Sequence, residues 1–374
     1  MNRRIALYIL IGLTILALAD SRYGWLGTLT PYEDLIRVEG FEWTGIPSGM
    51  PSVESSGSLE GDLAGGDVLK VSNQLGDIKL EGLLDTTVYS LDYTIYIYAE
   101  DKAVALEYLP KLGVKATSAK DGIEVSLVAA EGRPRGVYQV RLDISGTIPS
   151  DARVEIHNGM GEVQVMNIKG PSLVENRYKN TSVKHVDGNL DVHAPYSTLS
   201  VSDVFGDLDV GGSYGQSSIR GISGNVIVES NFRQTDVESV GGSVSVGTKY
   251  GNVVAADIGG DFTAEGSFAT VAGQTIGGDA KATTKYGAIL LEDVGGDVTI
   301  DAKYSNVNLT LGTLDHHLTL EVQNGDLVLR GALATYKPTV SNTRKTFDEI
   351  IGGGTSSVRA KNVGGNIAVI GEHH

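Results

Sequence analysis

The chain has 374 residues, of which 46 are acidic and 30 are lysine or arginine, and its formal net charge is −16. A surface with this charge repels phosphate backbones, which argues against nucleic-acid binding, and the absence of cysteine excludes disulfides, thiol catalysis and thiolate-bound metals. Glycine is abundant, with 49 residues against 9 prolines, and together with the many Val, Ile and Leu residues it predicts turn-dense β structure.

The first 19 residues have the organisation of a secretory signal peptide. Arg3 and Arg4 precede the apolar run Ile5–Leu18, and residues 17–19 (Ala-Leu-Ala) have the small-x-small form that signal peptidases accept. The run has about 14 residues, fewer than the roughly 20 that a helix needs to span a bilayer. We therefore expect an exported protein, in the periplasm or at the cell surface. The alternative is an uncleaved segment that anchors the chain in the membrane, with the rest facing outside.

Two regions precede the repetitive part of the chain. Residues 20–66 are rich in Gly, Pro and Ser and contain both tryptophans, and we interpret them as a linker or arm that docks on the folded body. Residues 67–151 carry several strand patterns and one short helical pattern, Asp101–Leu109, which Pro110 ends. This second region predicts a small β-rich N-terminal cap.

An 18-residue repeat dominates the chain from about residue 152. Glycine recurs at one point of eight consecutive units, which we number as position 0: Gly170, Gly188, Gly206, Gly224, Gly242, Gly260, Gly278 and Gly296. Apolar residues recur at positions 2, 4, 11, 13 and 16. If each unit forms one coil of a parallel β-helix, equivalent residues lie about 4.8 Å apart and the apolar columns merge into one core. We therefore predict ten coils over residues 152–330, then an irregular insertion, a last coil and a tail over residues 331–374.

Position 8 is aromatic in each of these units: Tyr178, Tyr196, Tyr214, Phe232, Tyr250, Phe268, Tyr286 and Tyr304. We expect a structural ladder of stacked rings, turned inwards because position 8 shares the parity of positions 2 and 4. The alternative is a strip on which the sugar rings of a carbohydrate stack.

The turns and the handedness of the coil can also be predicted. The glycine at position 0 is followed in most units by Asn or Asp, and we expect a positive φ at this corner. Position 10 is mostly polar, whereas a left-handed hexapeptide helix needs an apolar residue at every sixth position. The predicted fold class is therefore all-β: a right-handed, single-stranded parallel β-helix with 18 residues per coil, preceded by the β-rich cap with its one short helix.

The G-x-V-x-V strands, the Gly-Gly-Asp corners and the Tyr-Gly turn within the unit resemble the bacterial putative-adhesin β-helix family of exported proteins. Residues 71–82 (VSNQLGDIKLEG) and 144–165 fit the same pattern, so the likeness covers about residues 67–370. The resemblance implies a surface location and no catalytic residues. The even period is also similar to that of bactofilin-like polymers, a more distant likeness against which the signal segment argues.

The outward positions show no pattern that predicts a catalytic, metal or cofactor site. Positions 3 and 5 mix acidic, polar and apolar residues, without the row of carboxylates that a polysaccharide-cleaving β-helix needs. The corner Asp recurs every 18 residues, whereas a calcium roll needs one every nine, so calcium binding is a weak hypothesis. One outward strip is apolar, and we expect it to contact a partner or the chain's own residues 20–65 or 343–351: Val254, Ala256, Ala272 and Leu290.

These observations favour an exported, non-enzymatic solenoid with an adhesin-like binding or scaffold role, whose partner is a protein or a glycan of the cell envelope. A second hypothesis is self-association into a polymer, in which solenoids pair end to end through their terminal strands. A third and weaker hypothesis is a carbohydrate-active β-helix enzyme.

Overall fold

The computed structural model describes residues 53–130, 132–213, 215–313, 317–332, 345–351 and 356–372. The predicted signal peptide and residues 20–52 of the predicted arm lie outside these ranges. Most of the described residues form strands, which are arranged in two 15-stranded sheets that we call sheet I and sheet II.

Each coil contributes one strand to sheet I and the following strand to sheet II. The ten coils between residues 152 and 330 contain the strand pairs β8 Arg153–Met160 and β9 Val163–Ile168, β10 Ser172–Tyr178 and β11 Thr181–Val186, β12 Leu190–His193 and β13 Leu199–Val204, β14 Leu208–Ser213 and β15 Ser217–Ile222, β16 Val226–Ser230 and β17 Thr235–Val240, β18 Val244–Thr248 and β19 Val253–Ile258, β20 Phe262–Gly266 and β21 Val271–Ile276, β22 Ala280–Thr284 and β23 Ala288–Val294, β24 Val298–Lys303 and β25 Asn306–Thr313, and β26 Leu318–Gln323 and β27 Leu327–Ala332.

Neighbouring coils pair in parallel, and over most of the stack the register is one repeat. Val174 lies opposite Val192, and Val192 lies opposite Val210. The all-β class, the 18-residue coil and the ten coils are therefore confirmed. No observation tests the right-handed sense of the coil, which stays a prediction.

The solenoid begins earlier than residue 152. Strands β2 Val68–Asn73 and β3 Ile78–Leu83 pair in parallel with β8 and β9, so they already form a coil. The predicted boundary between cap and solenoid is too late, because a long insertion separates this first coil from the next one and hides it from the 18-residue period.

The insertion and the preceding strand close the N-terminal end of both sheets. Strands β6 Gly122–Ala129 and β7 Val137–Pro149 pair in parallel with β2 and β3. Three strands then add in antiparallel fashion: β5 Leu112–Ala119 on β6, β4 Val88–Ala99 on β7, and β1 Val53–Asp62 on β4. The arm prediction is therefore wrong for residues 53–62, where pairing with a long neighbouring strand overrides a Ser- and Gly-rich composition.

The short helix of the cap is confirmed. Helix α1 spans Lys102–Tyr108, and a 3-10 helix, Leu109–Lys111, follows it. Asp101 caps α1, because its carboxylate accepts a hydrogen bond of 2.9 Å from the backbone N–H of Val104.

A further coil follows at the C-terminal end. Strands β29 Ser356–Val363 and β30 Ile367–Glu372 pair in parallel with β26 and β27. Strand β28 Lys345–Ile351 lies antiparallel on β29 and ends sheet I.

The core lies between the two sheets. Sheet I supplies positions 2 and 4, sheet II supplies positions 11, 13 and 16, and these side chains belong to one continuous buried cluster. Large and small residues face each other between the two sheets. Phe262 of β20 is fully buried, and a Cβ on Gly273 of β21 would lie 3.1 Å from the Phe262 ring. Close packing requires that a large residue in one sheet face a small one in the other.

Position 15 explains the uneven spacing of the inward positions on sheet II. His185, Asp203 and Asp257 occupy this position with φ values of 57°, 59° and 55°. A residue in this left-handed conformation interrupts the alternation of the strand, and the ladder skips it. Positions 13 and 16 therefore both point inwards although they are three residues apart.

The expected positive φ at the glycine corner is wrong for position 0 in every unit except Gly188. Glycine stands there because successive coils approach closely: a Cβ on Gly242 would lie 2.6 Å from the carbonyl oxygen of Gly224. Position 1 is mostly Asn or Asp because its side-chain oxygen accepts a hydrogen bond from the same position one coil further on. The N–H of Asp297, for example, donates to Oδ1 of Asp279 over 2.8 Å.

Candidate binding surfaces of the solenoid

The described side chains of position 8 lie where the sheet I strand of a coil leads into its sheet II strand: Tyr178 ends β10, and the others lie on the connecting turn. Rings in neighbouring coils are stacked, with centroids 4.9–5.3 Å apart and planes within 14° of parallel: Tyr178 on Tyr196, and Phe232, Tyr250, Phe268, Tyr286 and Tyr304 in succession. Tyr214 lies outside the described residues.

The expectation that these rings turn inwards is wrong. Tyr178 is 38% exposed and Tyr304 is 55% exposed. The last inward position of the sheet I strand is position 6, where Asn176 and Ala194 are fully buried. The chain then turns, so the parity of the strand no longer applies at position 8.

Stacking determines which part of each ring a ligand can reach. Within the series from Phe232 to Tyr304, every inner ring has a neighbouring ring about 5 Å away on each face. A sugar ring cannot enter such a gap, so the inner rings offer their edges and not their faces. This geometry disfavours a strip on which sugars stack face to face, and each ring pair adds about 0.5–1.5 kcal/mol of stability beyond the burial of its area.

Basic residues flank the aromatic column at positions 7 and 9. We call the described residues at positions 7 to 10 of the eight units the aromatic edge, which comprises residues 177–180, 195–198, 213, 215–216, 231–234, 249–252, 267–270, 285–288 and 303–306. It carries six cations and no aspartate or glutamate: Arg177, Lys179, Arg233, Lys249, Lys285 and Lys303. Sequence reasoning missed this feature because no single position is basic throughout; the signal appears only when the four positions are taken together.

A cavity of about 660 Å³ opens on the aromatic edge. Its lining combines an aromatic ring, a guanidinium, two amides and two hydroxyls, contributed by Tyr196, Arg233, Gln216, Gln234, Ser197 and Thr198 together with Gly215. This set can donate and accept hydrogen bonds and can hold an anion.

The outer face of sheet I has a different character. A cavity of about 500 Å³ extends from β2 to β16 and combines acidic residues with apolar ones, among them Asp191, Asp209, the half-buried Leu173 and the exposed Ile227. Burial, followed by the neighbouring Asp209 carboxylate, raises the pKa of Asp191. The lining of this cavity is therefore predominantly acidic, in keeping with the net charge of the chain.

A hydrogen-bonded group of charged residues lies beside that cavity. The ring nitrogens of His157 lie 2.7 Å from a Glu175 oxygen and 2.6 Å from a Glu155 oxygen, and Lys70 pairs with Glu155 over 2.8 Å. Burial lowers the pKa of His157, but the hydrogen bonds to the two carboxylates outweigh it and leave the pKa raised. The hydrogen bonds to His157 and Lys70 lower the pKa of Glu155. These charges neutralise one another, which is the arrangement of a structural network.

No group of His, Asp and Glu side chains that could hold a metal ion occurs within the described ranges. The mixture of residues at positions 3 and 5, expected from the sequence, is visible on sheet I: His193 pairs with Glu175 in one direction and with Gly211 in the other.

The predicted apolar contact strip lies on the outer face of sheet II. Val254, Ala272 and Leu290 are in register on adjacent strands; Val254 is 39% and Leu290 is 38% exposed, and Ala256 lies on the same face. Residues 345–351 belong to sheet I, and β1 lies at the N-terminal end of sheet II, so neither covers the strip. Its contact with a partner, or with residues 20–52 of the arm, which lie outside the described ranges, stays a prediction.

Comparisons with known proteins return structural neighbours only. No protein-family model and no curated protein matches the chain. Three solved structures are similar: a putative adhesin from Parabacteroides distasonis (11% identity, 84% of this chain and 97% of that chain, TM-score 0.32), a putative adhesin from Bacteroides fragilis (12%, 86% and 100%, 0.23) and a putative cell adhesion protein from Clostridium sporogenes (10%, 69% and 100%, 0.22). All three neighbours are named as adhesins or cell adhesion proteins, and what this chain binds has to be argued from its own surfaces.

Proposed function

We propose that this chain is an exported, non-catalytic β-solenoid that binds a partner at the cell envelope along its sides, in the manner of an adhesin. The observation that supports this proposal best is the aromatic edge, where aromatic rings recur from coil to coil and cations accompany them in five of the eight units. Aromatic side chains and arginine are over-represented in binding surfaces, and the repetition of exposed rings here is not required by the core.

The architecture suits binding by many weak contacts. Each coil buries its apolar face against its neighbours, so the outward columns are held at strand spacing on a stiff support. A long ligand that follows the coils makes the same contact several times, and its affinity grows through effective concentration without any single tight site.

Two features of the chain support a non-catalytic role and an exported location. Two carboxylates of sheet I, Glu155 and Glu175, are both engaged by His157, which leaves them poorly suited to general acid–base chemistry. The N-terminal segment described above supports export, and within the described residues no helix is long and apolar enough to cross a membrane.

Binding by the purified full-length protein to glycan and matrix-protein arrays tests the proposal. We expect saturable binding to at least one ligand class that contacts the sides of the solenoid. Absence of binding on both arrays, or finding the protein in the cytoplasm after cell fractionation, would refute it. Turnover of a polysaccharide would instead support the enzyme hypothesis.

The polymer hypothesis can be tested separately. The described strands β1, β5 and β28 end three of the four sheet edges in antiparallel fashion, which disfavours continuation by an identical parallel coil. Size-exclusion chromatography with light scattering is expected to give a mass that does not rise with concentration. Filaments that grow with concentration would favour the polymer.

A further inference from the structure

We propose that the aromatic edge is a binding site for a linear acidic polysaccharide, whose carboxylates contact the cations of the edge while its hydroxyls contact the polar side chains. This inference rests on the proposed function and specifies the ligand class and the surface.

The charge of the edge is opposite to that of the chain. Of 46 acidic residues none falls in the eight four-residue turns, which contain six of the 30 cations. Arg177, Lys179, Arg233, Lys285 and Lys303 make no ion pair with a carboxylate in the part of the chain that the structure describes. At physiological ionic strength the screening length is about 8 Å, so a bound ligand responds to these nearby cations more than to the net charge of the chain.

The spacing of the edge suits a chain-like ligand that runs parallel to the solenoid axis. Successive coils are about 4.8 Å apart, so the column from Tyr178 to Tyr304 extends over roughly 34 Å. Arg233 and Lys249 lie on adjacent coils, Lys285 lies two coils beyond Lys249, and Lys303 follows on the next coil. A polymer with regularly repeated charges meets several of these cations at once, whereas a small anion meets only one or two.

Polar groups next to the cations match the hydroxyls of a sugar. Position 10 carries Asn, Gln or Thr in seven of the eight units, and Gln216 and Gln234 line the cavity of about 660 Å³ together with Arg233. A guanidinium can bind a carboxylate through two parallel hydrogen bonds, and amides can donate to and accept from hydroxyls.

The same geometry disfavours a nucleic acid. Proteins that hold single strands without sequence preference stack the bases on the faces of aromatic rings. The inner rings of this column have both faces covered by neighbouring rings, so bases cannot stack there. A neutral glycan would leave the cations without a role.

Affinity electrophoresis and calorimetry with polygalacturonate as the probe test the proposal, with methyl-esterified polygalacturonate as the neutral match. We expect the full-length protein to bind the acid form and to lose affinity as salt rises. The triple variant R233Q/K285Q/K303Q should bind about tenfold more weakly, since each exposed charge pair contributes roughly a factor of two to the affinity. The control K184Q/R220Q/K281Q removes three cations from the sheet faces and should change the affinity less than twofold.

Three results would overturn the inference. They are equal weakening by the two triple variants, equal binding of the esterified probe, and equal or tighter binding of single-stranded DNA. Absence of binding to polygalacturonate, alginate and heparin would also reject it. If the array experiment still finds a protein or a neutral-glycan ligand, the proposed function stands and only the ligand class is wrong. Circular dichroism and thermal unfolding of the triple variants show whether a loss of binding reflects a loss of fold.

Discussion

Each coil of this solenoid has two kinds of turn, and they are built on different principles. At the glycine corner, positions 0 and 1 are determined by the backbone: the coils approach so closely that only glycine fits, and the next side chain accepts a hydrogen bond from the coil above. At the aromatic edge the side chains lie outside the core, and their rings are stacked and exposed. Glycine therefore recurs at position 0 because close packing between coils requires it, whereas the aromatic residue recurs at position 8 on the exposed surface.

The largest expected effect on stability comes from comparing an aromatic residue of the core with one of the aromatic edge. Phe262→Ala removes a ring that is fully buried between the sheets, and it should lower the free energy of unfolding by about 3–5 kcal/mol. The matched variant Phe232→Ala removes an exposed ring that stacks on Tyr250, and it should cost only about 0.5–1.5 kcal/mol. Urea denaturation followed by circular dichroism measures both values. Equal losses would show that the edge is part of the core and would remove the contrast between the two turns.

The glycine corner is tested by Gly242→Ala. The added methyl group would lie 2.6 Å from the carbonyl oxygen of Gly224 and 2.7 Å from Oδ1 of Asn225, and the backbone cannot move without shifting the adjacent coil. We expect a loss of roughly 1–3 kcal/mol in urea denaturation. The control is Gly113→Ala, where no atom lies within 4 Å of the added group and stability should change little. If the two variants lose the same stability, close approach is not the reason for glycine at position 0.

A smaller effect is expected at position 1. Asp279→Ala removes the acceptor for the N–H of Asp297 and should destabilise the protein by about 1 kcal/mol. Asp279→Asn keeps an acceptor oxygen, as Asn225 does for the N–H of Ser243, and it should restore most of the stability. Thermal unfolding of the two variants separates the roles: equal destabilisation by Ala and Asn would mean that the negative charge matters and not the hydrogen bond.

The smallest effect concerns pH and the outer face of sheet I. The carboxylates of Glu155 and Glu175 raise the pKa of His157 despite its burial, so the protonated ring stabilises the fold. This contribution is fully present below the pKa of the unfolded chain and is lost as pH rises through the higher pKa of the folded chain. Denaturation midpoints measured from roughly pH 5.5 to 8.5 should therefore fall less steeply for His157→Gln than for the unmodified protein. A steeper fall for the variant would contradict the assignment.

The repeat could be predicted because a solenoid stacks equivalent residues on one another, so the same residue types recur in the sequence at the length of one coil. The spacing of Gly188, Gly206 and their equivalents gave the length of one coil, and the apolar positions between them indicated which side chains point inwards. The first coil could not be found in this way, because residues 84–152 separate β3 from β8. Strand β1 was missed for a related reason: its partner β4 is a neighbour in space, and the composition of β1 alone gives no strand signal.

The candidate site was predicted only in part. The aromatic column was visible from position 8, but its direction depends on where the sheet I strand ends, which the alternation of residues does not reveal. The apolar strip through Val254 and Leu290 was placed on the outer face correctly, because it lies within regular strands where alternation holds.

By itself, the sequence of this protein determined the period, the ten coils between residues 152 and 330 and the residues that fill their core, because each of these depends on contacts between equivalent positions one repeat apart. Only the tertiary structure decided where the solenoid begins, which strands close its ends and that the aromatic column faces solvent. Those features depend on contacts between residues that are far apart in the chain and on a change of backbone direction at the turn. Neither of these produces a repeating pattern in the sequence.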